Sequence, residues 1–504
     1  MLLTKSNYLL GLQCPKLLWV TKNDKERIPE PDFAAKHKFE AGDIIGVLAT
    51  KVFPGGVDLA GLGFKENIDK TKEAIDNRQT IYEAGFMIDN LFSRGDILLP
   101  VGENEWDIIE VKSATQVKDI NIHDVSFQKY VYEKAGLKIR NCILMHVNNQ
   151  YIKDGEIEPE ELFVQAEIND QVEEFGKGIG KRIENFMKII NSKEEPKVSI
   201  GLHCSDPYDC SLMDQCWKDV PEGSIFEFFR MFKKKCFELH DQGIICLNEV
   251  PEDIKLNDKQ KIQRRLAFEA ASSSDMTLEG PKHVDKLGIK NFLNNLEYPI
   301  YYLDFETINP AIPKFDGMKP YQRIPFQFSL HIQKEEGGEC EHISFLADGA
   351  SDPKPKFMQA LKDNLGEFGS VLVYNQAFEK GVMNESAILL PEFREWYDNN
   401  ILPRIKDLWD VFKDFSYYDP KQKGSTSIKY VLPVLSDLKY DDLDIKNGIL
   451  ASLEYERVTY GDVSEEERER IRGHLEKYCE LDTLAEVEIV KGLRKELKIK
   501  GDKE

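Results

Sequence analysis

Hydrophobic and polar positions alternate over several short stretches in the first part of the chain, and these stretches predict strands. The predicted strands lie at 80–87, 94–99, 106–113 and 140–147. Apolar residues recur at helical spacing in stretches that predict helices at 33–53, 122–136 and 169–192. A helix, a three-strand meander, a helix and one more strand predict an α/β unit.

A second set of strands begins near residue 298. It comprises PIYYLDFETI, PFQFSLHIQ, EHISFLA and SVLVYNQAF, and the rest of the chain has mainly helical periodicity. Residues 222–295 are polar and rich in helical patterns, which is typical of a connector. The predicted fold class is therefore α/β, with a first domain at 1–220, a helical connector at 221–295 and a second domain at 296–504.

Composition and charge limit the classes of protein to consider. The chain has 504 residues, 41% of them hydrophobic and 31% charged, and a formal net charge of −22. This acidity disfavours a protein that coats polyanions, but it says little about the charge of one cleft. No apolar run reaches the roughly 20 residues of a membrane span, and the N-terminus lacks the pattern of a signal peptide. A cytoplasmic protein without membrane association is expected.

The predicted strand WDIIEVKSAT at 106–115 carries two charged residues among apolar ones. Glu110 and Lys112 are two positions apart, so both side chains leave the same face of the strand. An ion pair on a half-exposed strand would explain this pattern. However, Asp96 follows Gly95 at the mouth of the preceding strand. Two carboxylates at one edge of a hairpin can hold Mg²⁺, and a nearby lysine can stabilise charge that develops on a phosphate.

The ordered set Gly95-Asp96, Glu110-Val111-Lys112 and Gln128-Lys129-Tyr130-Val131-Tyr132 resembles the PD-(D/E)XK nucleases. Within them it is most similar to the RecB-type branch that includes the CRISPR-associated nuclease with an iron–sulfur cluster. The resemblance implies that Asp96 and Glu110 are metal ligands and that Lys112 is the catalytic lysine. It also implies that Gln128 and Tyr132 brace the site or contact substrate, although a helix face packed on the sheet would explain these two equally well.

One position departs from the RecB-type pattern. Many of these enzymes supply a metal-binding histidine from the preceding helix, and Gly46 occupies the matching position here. His37 and Glu40, which lie earlier on that predicted helix, are possible substitutes, as is Glu83 on the first strand. The departure concerns activity, not fold.

Three of the nine cysteines, Cys204, Cys210 and Cys216, are spaced by six in a segment rich in turn-forming residues. In a cytoplasmic chain they are not expected to form disulfides. Iron–sulfur members of the resembled family place one cysteine near the N-terminus and three after the nuclease core, and Cys14 completes that arrangement. Four thiolates suit a [4Fe–4S] cluster or Zn²⁺. The lack of a CxxC pair favours the cluster, with the expected role of holding the two ends of the domain together.

The strand YYLDFETI at 301–308 carries Asp304 and Glu306 on one face. Together with Asn375-Gln376-Ala377-Phe378-Glu379 and Tyr478-Cys479-Glu480-Leu481-Asp482, it resembles the DnaQ-like 3′–5′ exonucleases of the ribonuclease-H-like fold, in their tyrosine-type variant. The resemblance implies that Asp304, Glu306 and Asp482 bind metal and that Tyr478 orients the nucleophilic water. In such sites four carboxylates hold two metal ions about 4 Å apart.

The fourth carboxylate of this pattern is Glu379, where the family usually has aspartate. Its extra methylene shifts the carboxylate, and metal geometry is sensitive to such shifts. Asn375 is expected to brace this segment. In the polar segment GSTSIKYVLP, residues Ser425, Ser427 and Lys429 could contact phosphates, while a helix N-cap would explain the serines equally well.

These observations predict a metal-dependent nuclease that uses Mg²⁺ or Mn²⁺ at two separate sites. DNA is favoured over RNA as the nucleic-acid partner, in repair, recombination or defence. The sequence does not identify a protein partner. Two alternatives remain at this stage. One is an RNA exonuclease, and the other is a nucleic-acid-binding scaffold in which both sites are degenerate.

Overall fold

The computed structural model describes residues 1–272, 280–440 and 443–498. The chain divides into two compact units. The first unit comprises Met1–Asp219 and Pro310–Gln322, and the second comprises Val220–Asn309 and Arg323–Glu504. Residues 273–279 of the expected connector and 499–504 of the expected second domain lie outside the described residues.

The first unit, all of whose residues are described, contains one seven-stranded sheet. Its strands are β1 (Leu3–Thr4), β2 (Val57–Asp58), β3 (Ile81–Ile88), β4 (Leu91–Val101), β5 (Glu105–Lys112), β6 (Lys138–Val147) and β7 (Phe163–Glu167). The order across the sheet is β2-β3-β4-β5-β6-β7, and β1 pairs with β4. The pairs β3–β4 and β4–β5 are antiparallel, whereas β5 and β6 are parallel.

Helices cover both faces of this sheet. They are α1 (Lys5–Gln13), α2 (Pro15–Asn23), α3 (Phe33–Thr50), α4 (Phe64–Asp76), α5 (Asp119–Lys134), α6 (Pro159–Leu162), α7 (Asn169–Gly176), α8 (Ile179–Ile190) and α9 (Met213–Trp217). Because β5 and β6 are parallel, α5 makes the crossover between them. Its buried Val125 and Val131 pack with Ile108 of β5 on one face, while Ile45 of α3 packs with Ile109 on the other.

The sheet of the second unit has the order β11-β10-β9-β12-β13. The strands of this unit are β8 (His283–Val284), β9 (Ile300–Ile308), β10 (Ile324–Gln333), β11 (Cys340–Leu346), β12 (Ser370–Val373), β13 (Ile405–Asp407) and β14 (Tyr417–Tyr418). The pairs β9–β10 and β10–β11 are antiparallel, whereas β12 runs parallel to β9 and β13.

The described helices of the second unit follow in chain order. They are α10 (Lys233–Asp241), α11 (Asp258–Ser272), α12 (Lys286–Asn294), α13 (Lys354–Asn364), α14 (Gln376–Leu389), α15 (Arg394–Trp396), α16 (Trp409–Lys413), α17 (Ile428–Leu435), α18 (Gly448–Tyr460) and α19 (Glu465–Lys498). Three glutamates in the first turn of α19 suit the positive end of its dipole.

All ten residues of β10 are buried, although every second one between Gln327 and Gln333 is polar. The apolar positions Phe328 and Leu330 pack in a core with Leu303 and Phe305 of β9. The intervening polar side chains leave the opposite face, where Gln327 donates a 2.9 Å hydrogen bond to the Leu475 carbonyl of α19. Because α19 covers a polar sheet face, buried chemistry can accumulate between them.

Both units combine sheets and helices, which confirms the predicted α/β class. The eight principal strands lie close to their predicted positions. The predicted strand at 370–378 was wrong beyond Val373, since Asn375 is the N-cap of helix α14. The predicted helix at 169–192 is divided into α7 and α8, because Gly178 adopts a positive φ between them.

The described residues of the range 220–295, which are 220–272 and 280–295, belong to the second unit. The rings of Phe229 and Phe415 pack at a tilt of 56° with centroids 5.1 Å apart, and Gln263 donates a 3.0 Å hydrogen bond to the Tyr418 hydroxyl. None of the helices in the described ranges combines the length and the hydropathy of a membrane span.

Candidate functional site

Asp96, Glu110 and Lys112 meet on the α5 face of the first unit's sheet. Lys112 Nζ lies 2.5 Å from Glu110 Oε1, as the two-residue spacing predicted. Asp96 comes from the neighbouring strand β4, and its Oδ2 accepts a 2.6 Å hydrogen bond from the backbone N–H of Val111. The convergence predicted for these three residues is therefore present, and Asp96 keeps one carboxylate oxygen that this bond does not use.

Two further residues, Asp124 and Lys5, belong to this cluster and were missed by the sequence reasoning. Asp124 Oδ2 lies 2.8 Å from Lys112 Nζ. Lys5 Nζ lies 3.0 Å from Glu110 Oε1 and 3.4 Å from Asp124 Oδ1. Asp124 precedes Gln128 by one helical turn, which is a periodic signal that could have identified it. Lys5 has no such signal, because α1 reaches the site only through tertiary packing.

Gln128 and Tyr132 occupy the same face of α5, turned towards the carboxylates. Gln128 Nε2 lies 2.5 Å from Glu110 Oε2, and the Tyr132 hydroxyl donates a 2.9 Å bond to the Ala84 carbonyl. A Cβ at Gly95 would lie 2.6 Å from the side-chain oxygens of both residues. Gly95 therefore allows α5 to approach β4, and Gln128 contacts a candidate metal ligand in addition to packing on the sheet.

The charges of this first cluster nearly cancel. Burial and the Glu110 carboxylate raise the pKa of Asp96 to about 7. Burial would also raise the pKa of Glu110, but the ammonium groups of Lys112 and Lys5 hold it well below its usual range. Three carboxylates thus face two lysines, which leaves a formal charge of −1 before Glu83 and Arg94 are considered.

A cavity of about 530 Å³ opens beside Asp96, and Lys5, Glu83 and Arg94 are among the residues that line it. Glu83, one of the suggested substitutes for the missing histidine, forms a 2.8 Å ion pair with Arg94. Glu83 adopts a φ of +58° within β3, and the strand keeps the same register with β4 on either side of it.

The other suggested substitutes, His37 and Glu40, lie on α3. This helix packs through Ile45 and Ala49 on the sheet face opposite Glu110. Glu40 is exposed there, and a Cβ at Gly46 would enter open space. Glu83 is thus the substitute that the fold brings to the cavity beside Asp96.

The four candidate cluster cysteines gather around one small cavity. Cys14, Cys204, Cys210 and Cys216 all line it, together with Lys16. Cys14 caps the N-terminus of α2, and Cys210 Sγ accepts a 3.5 Å hydrogen bond from the Leu212 N–H. The residues predicted to hold a cofactor therefore come together from the two ends of the first 219 residues.

The sulfur separations and the chemistry around them test the fit of a metal group. A single tetrahedral Zn²⁺ would require sulfurs about 3.8 Å apart. Within the described residues, two sets of three ligand atoms lie within 4.8 Å of one another, and neither contains a cysteine. Lys16 and the Leu212 N–H supply positive potential of the kind that stabilises thiolates. No three of the four sulfurs lie within 4.8 Å of one another in this structure.

In the second unit, one ligand atom from each of Asp304, Glu306 and Asp482 lies within 4.8 Å of the other two. Asp304 and Glu306 leave the same face of β9, and Asp482 leaves the facing side of α19. A Cβ at Gly448 would lie 3.1 Å from Glu306 Oε2, so this glycine lets the N-terminus of α18 approach the carboxylate. The three carboxylates therefore lie close enough together to share a metal ion.

Tyr478 lies one helical turn before Asp482, and its hydroxyl counteracts part of the rise in the pKa of that carboxyl. Tyr440, which the sequence reasoning missed, donates a 2.7 Å hydrogen bond to Asp482 Oδ1.

Lys429 Nζ lies 5.4 Å from the ring centroids of both Tyr440 and Tyr478. Of the three residues suggested for phosphate contacts, Lys429 is thus at the site. Ser425 accepts a hydrogen bond from the Ser427 N–H.

Two more buried carboxylates, Glu379 and Glu486, lie close enough to affect the charge of Asp304. Glu379 Oε2 and both carboxylate oxygens of Glu486 are buried without a hydrogen-bond partner. Glu486 was missed, although it follows Asp482 by one helical turn. Burying unpaired carboxylates is costly unless a cation or a proton neutralises them.

Asn375 and Asp407 position the segment that carries Glu379. Asn375 adopts the left-handed conformation, with φ +79°, at the start of α14. Its N–H donates a 2.9 Å hydrogen bond to Asp407 Oδ1, and the Gln376 N–H donates a 3.1 Å bond to Oδ2. The start of α14 is thus held in place by hydrogen bonds from the backbone of Asn375 and Gln376 to the carboxylate of Asp407 on β13.

The second site carries a larger unbalanced charge than the first. Burial raises the pKa of Asp482 to about 6, and burial with the Asp482 charge raises that of Glu306 to about 8. Burial also holds the pKa values of Asp304, Glu379 and Glu486 well above their usual range. Five carboxylates thus lie near a single lysine. This site therefore has a larger excess of acidic over basic groups than the cluster around Glu110.

The family model and the relatives that match this chain carry no described activity. A family described as a domain of unknown function (DUF2779) matches residues 301–427, a region that contains Asp304, Glu306 and Glu379. The uncharacterized protein MG366 of Mycoplasma genitalium is 27% identical over 221 residues, which cover 40% of this chain and 33% of that protein. The uncharacterized protein UU173 of Ureaplasma parvum is 27% identical over 40% of this chain and 32% of its own length. The matched regions therefore span about a third of the length of these relatives.

Proposed function

We propose that this protein is a metal-dependent nuclease that hydrolyses phosphodiester bonds of DNA. The observation that carries the proposal is the buried acid cluster of the second unit, in which Asp304, Glu306 and Asp482 present ligand atoms within 4.8 Å. Oxygen ligands of this kind suit Mg²⁺ and Mn²⁺. The unpaired carboxylates of Glu379 and Glu486 add a reason for cations to bind.

The proposed reaction in the second unit is the stepwise removal of nucleotides from 3′ ends. Two divalent cations, when bound, stabilise the attacking and leaving oxygens of such a displacement. The Tyr478 hydroxyl is proposed to hold the attacking water, because it is fixed beside Asp482. Tyr440 keeps the Asp482 carboxylate in one orientation, and Lys429 supplies a positive charge for the phosphate.

Glu379 is proposed to take the place of the aspartate in the DnaQ-like pattern. Its longer side chain starts from the first turn of α14, whose position is set by the bonds from Asn375 and Gln376 to Asp407. The buried, unpaired Oε2 supports a role as a ligand over a role in packing. Under this proposal the substitution preserves the function of the second site.

The first unit is proposed to carry a separate, RecB-like nuclease site. Asp96 and Glu110 would be the metal ligands, with Glu83 as an additional carboxylate in the adjoining cavity. Lys112 would stabilise charge on the phosphate. Lys112 and Lys5 already neutralise Glu110 and Asp124, so this site would bind cations more weakly than the five-carboxylate site.

Cys14, Cys204, Cys210 and Cys216 are proposed to hold a [4Fe–4S] cluster, with Zn²⁺ as the alternative. The cluster would tie α2 to the segment that follows α8, and thus hold the two ends of this region together. No step of phosphodiester hydrolysis passes through it. The cavity lined by all four cysteines supports this structural role.

End-labelled single-stranded and double-stranded DNA and RNA provide the test, each incubated with the full chain and Mg²⁺ or Mn²⁺. Asp304→Asn should lower the rate of shortening from 3′ ends by at least about 10²-fold, which is the scale of losing one electrostatic stabiliser. Lys112→Ala should leave that shortening intact and abolish cleavage by the first unit. The RNA substrates decide between DNA and RNA as the preferred polymer.

Matched controls separate lost chemistry from lost folding. Asp363→Asn changes an exposed acid of the second unit, and Lys138→Ala changes an exposed lysine of the first, with 73% of its side chain accessible. Both controls should keep wild-type activity. Cleavage that persists in the Asp304→Asn, Lys112→Ala double variant would identify a contaminating nuclease and overturn both assignments. A full chain that folds and cleaves none of the substrates would refute the proposal and favour the degenerate scaffold.

A further inference from the structure

A second cluster of potential metal ligands lies on the same buried face of β10, separate from the five carboxylates. It consists of His331 on β10, His342 on β11 and Glu480 on α19. One ligand atom from each lies within 4.8 Å of the other two. His331 and His342 are direct cross-strand partners, and their rings stack with centroids 4.5 Å apart.

Hydrogen bonds occupy one nitrogen of each imidazole. His331 Nδ1 lies 2.8 Å from Thr483 Oγ1, and His342 Nε2 lies 3.0 Å from Ser329 Oγ. The two hydroxyls lie 2.6 Å from each other. The same two nitrogens are thus fixed by one small hydroxyl network.

The proton arrangement of this network follows from one further bond. When the Thr483 hydroxyl donates to the Glu480 carbonyl, 3.1 Å away, Thr483 Oγ1 accepts from both Ser329 and His331. Ser329 has then used its only proton, and it accepts from His342 Nε2–H. In this arrangement both imidazoles carry a proton on the nitrogen inside the network.

In the neutral form of each ring, this arrangement leaves lone pairs on His331 Nε2 and His342 Nδ1. The latter lies 3.7 Å from Glu480 Oε1, too far for a direct hydrogen bond. Burial lowers the pKa of His331 to about 4, so the ring is neutral at physiological pH. Neutral imidazoles whose second nitrogen is held by a hydrogen bond are the usual form of metal-binding histidines.

We propose that His331, His342 and Glu480 form a binding site for a transition-metal dication, with Zn²⁺ as the ion they suit best. Two imidazoles and one carboxylate are a common zinc ligand set, with a water in the fourth position. About half of the Glu480 side chain is accessible, which leaves room for that water. Tetrahedral ligands lie about 3.4 Å apart, so the three atoms need to move together by about 1 Å at most.

The proposed ion would join α19 to β10 and β11. Glu480 precedes Asp482 by two residues, so a metal at this site would hold the part of α19 that carries the candidate catalytic carboxylate. The role is structural, and it does not depend on whether the chain is a nuclease.

Zinc titration of the full chain by calorimetry, in excess Mg²⁺, tests the proposal. Magnesium prefers oxygen ligands and should occupy the carboxylates without displacing zinc from imidazoles. Wild-type protein should bind one more equivalent of Zn²⁺ than His342→Gln or Glu480→Gln. The four cysteines are unchanged in all these proteins, so any zinc they bind cancels in the comparison.

Two further variants sharpen the result. His474, another histidine of α19, lies 3.3 Å from Asp444 and belongs to neither group of three potential ligands among the described residues. The His474→Gln variant should therefore bind zinc as the wild type does. Thr483→Val removes the acceptor of His331 Nδ1 and should weaken binding about 10- to 100-fold, the usual effect of losing such a partner. If His342→Gln fails to fold, the partly exposed Glu480→Gln decides alone. Equal zinc stoichiometry and affinity in the wild type and Glu480→Gln would overturn the proposal.

Discussion

Asp124 of α5 lies 2.8 Å from Lys112 of β5, and the same carboxylate lies 3.4 Å from Lys5 of α1. This one side chain therefore holds two lysines beside Glu110. Its own side chain is only 5% exposed. The strand motif of Glu110 and Lys112 thus depends on a carboxylate from the following helix.

Replacing Asp124 tests that dependence. Asp124→Ala leaves two buried ammonium groups with Glu110 as their main partner, and it should destabilise the first unit by about 3 kcal/mol, the scale of breaking a buried ion pair. Urea unfolding followed by circular dichroism measures the change. Glu133→Ala on the same helix, where 46% of the side chain is exposed, should cost less than about 1 kcal/mol. Equal effects of the two substitutions would contradict the assigned role.

The pKa shifts of Glu306 and Asp482 predict an unusual pH dependence when divalent cations are removed with a chelator. Their pKa values are raised to about 8 and about 6, from ordinary values of 4.5 and 3.8. A raised folded-state pKa stabilises the fold below the ordinary pKa, and this stabilisation disappears as the pH rises through the folded value. Metal-free protein should therefore lose stability between pH 5 and pH 8.

Comparison with Glu306→Gln isolates this effect. Since one pKa unit corresponds to about 1.4 kcal/mol, the wild type should lose at least about 2 kcal/mol more than Glu306→Gln over this range. Thermal unfolding at each pH provides the measurement, and added Mg²⁺ should restore the wild type at pH 8. Parallel pH profiles for the two proteins would show that Glu306 is not a perturbed carboxylate.

Glu486 should bind or attract a cation, because both of its buried oxygens lack hydrogen-bond partners. Glu486→Gln removes the negative charge and keeps the shape. Without divalent cations this variant should melt at a higher temperature than the wild type, and it should require a several-fold higher Mg²⁺ concentration for half-maximal stabilisation. Glu488→Gln, whose side chain is 30% exposed two positions away, is the control and should change neither quantity.

Cys210→Ser tests the cysteine site. Wild-type protein purified without oxygen should be brown and contain iron, with absorption near about 400 nm that is typical of iron–sulfur centres. The variant should lose this colour and unfold more easily in the first unit, while the second unit retains its structure. Cys246→Ser, which changes a cysteine of the second unit, should retain the iron. Stoichiometric zinc without iron in the wild type would instead establish the alternative metal.

Local spacing made several parts of both sites predictable. Glu110 and Lys112, like Asp304 and Glu306, are two residues apart on strands, so each pair had to share a face. Tyr478 and Asp482 are four residues apart on a helix and meet for the same kind of reason. Asp124 and Glu486 obey this helical spacing too and were overlooked, although the information was present in the sequence.

Other parts depended on contacts between distant segments. Lys5 reaches Glu110 across 105 positions, and Tyr440 reaches Asp482 across 42. No local pattern encodes these distances, because they result from how helices and loops pack on the sheets.

The sequence by itself thus determined which side chains share a strand face or a helix turn, since backbone geometry repeats every two or 3.6 residues. Only the tertiary structure decided which of these faces meet. It brought Lys5 to a motif that would otherwise carry excess negative charge, and it set α19 over the polar face of β10. That packing buries five carboxylates beside a single lysine and places His331, His342 and Glu480 together, because the hydrophobic cores on the other faces fix the positions of strand and helix.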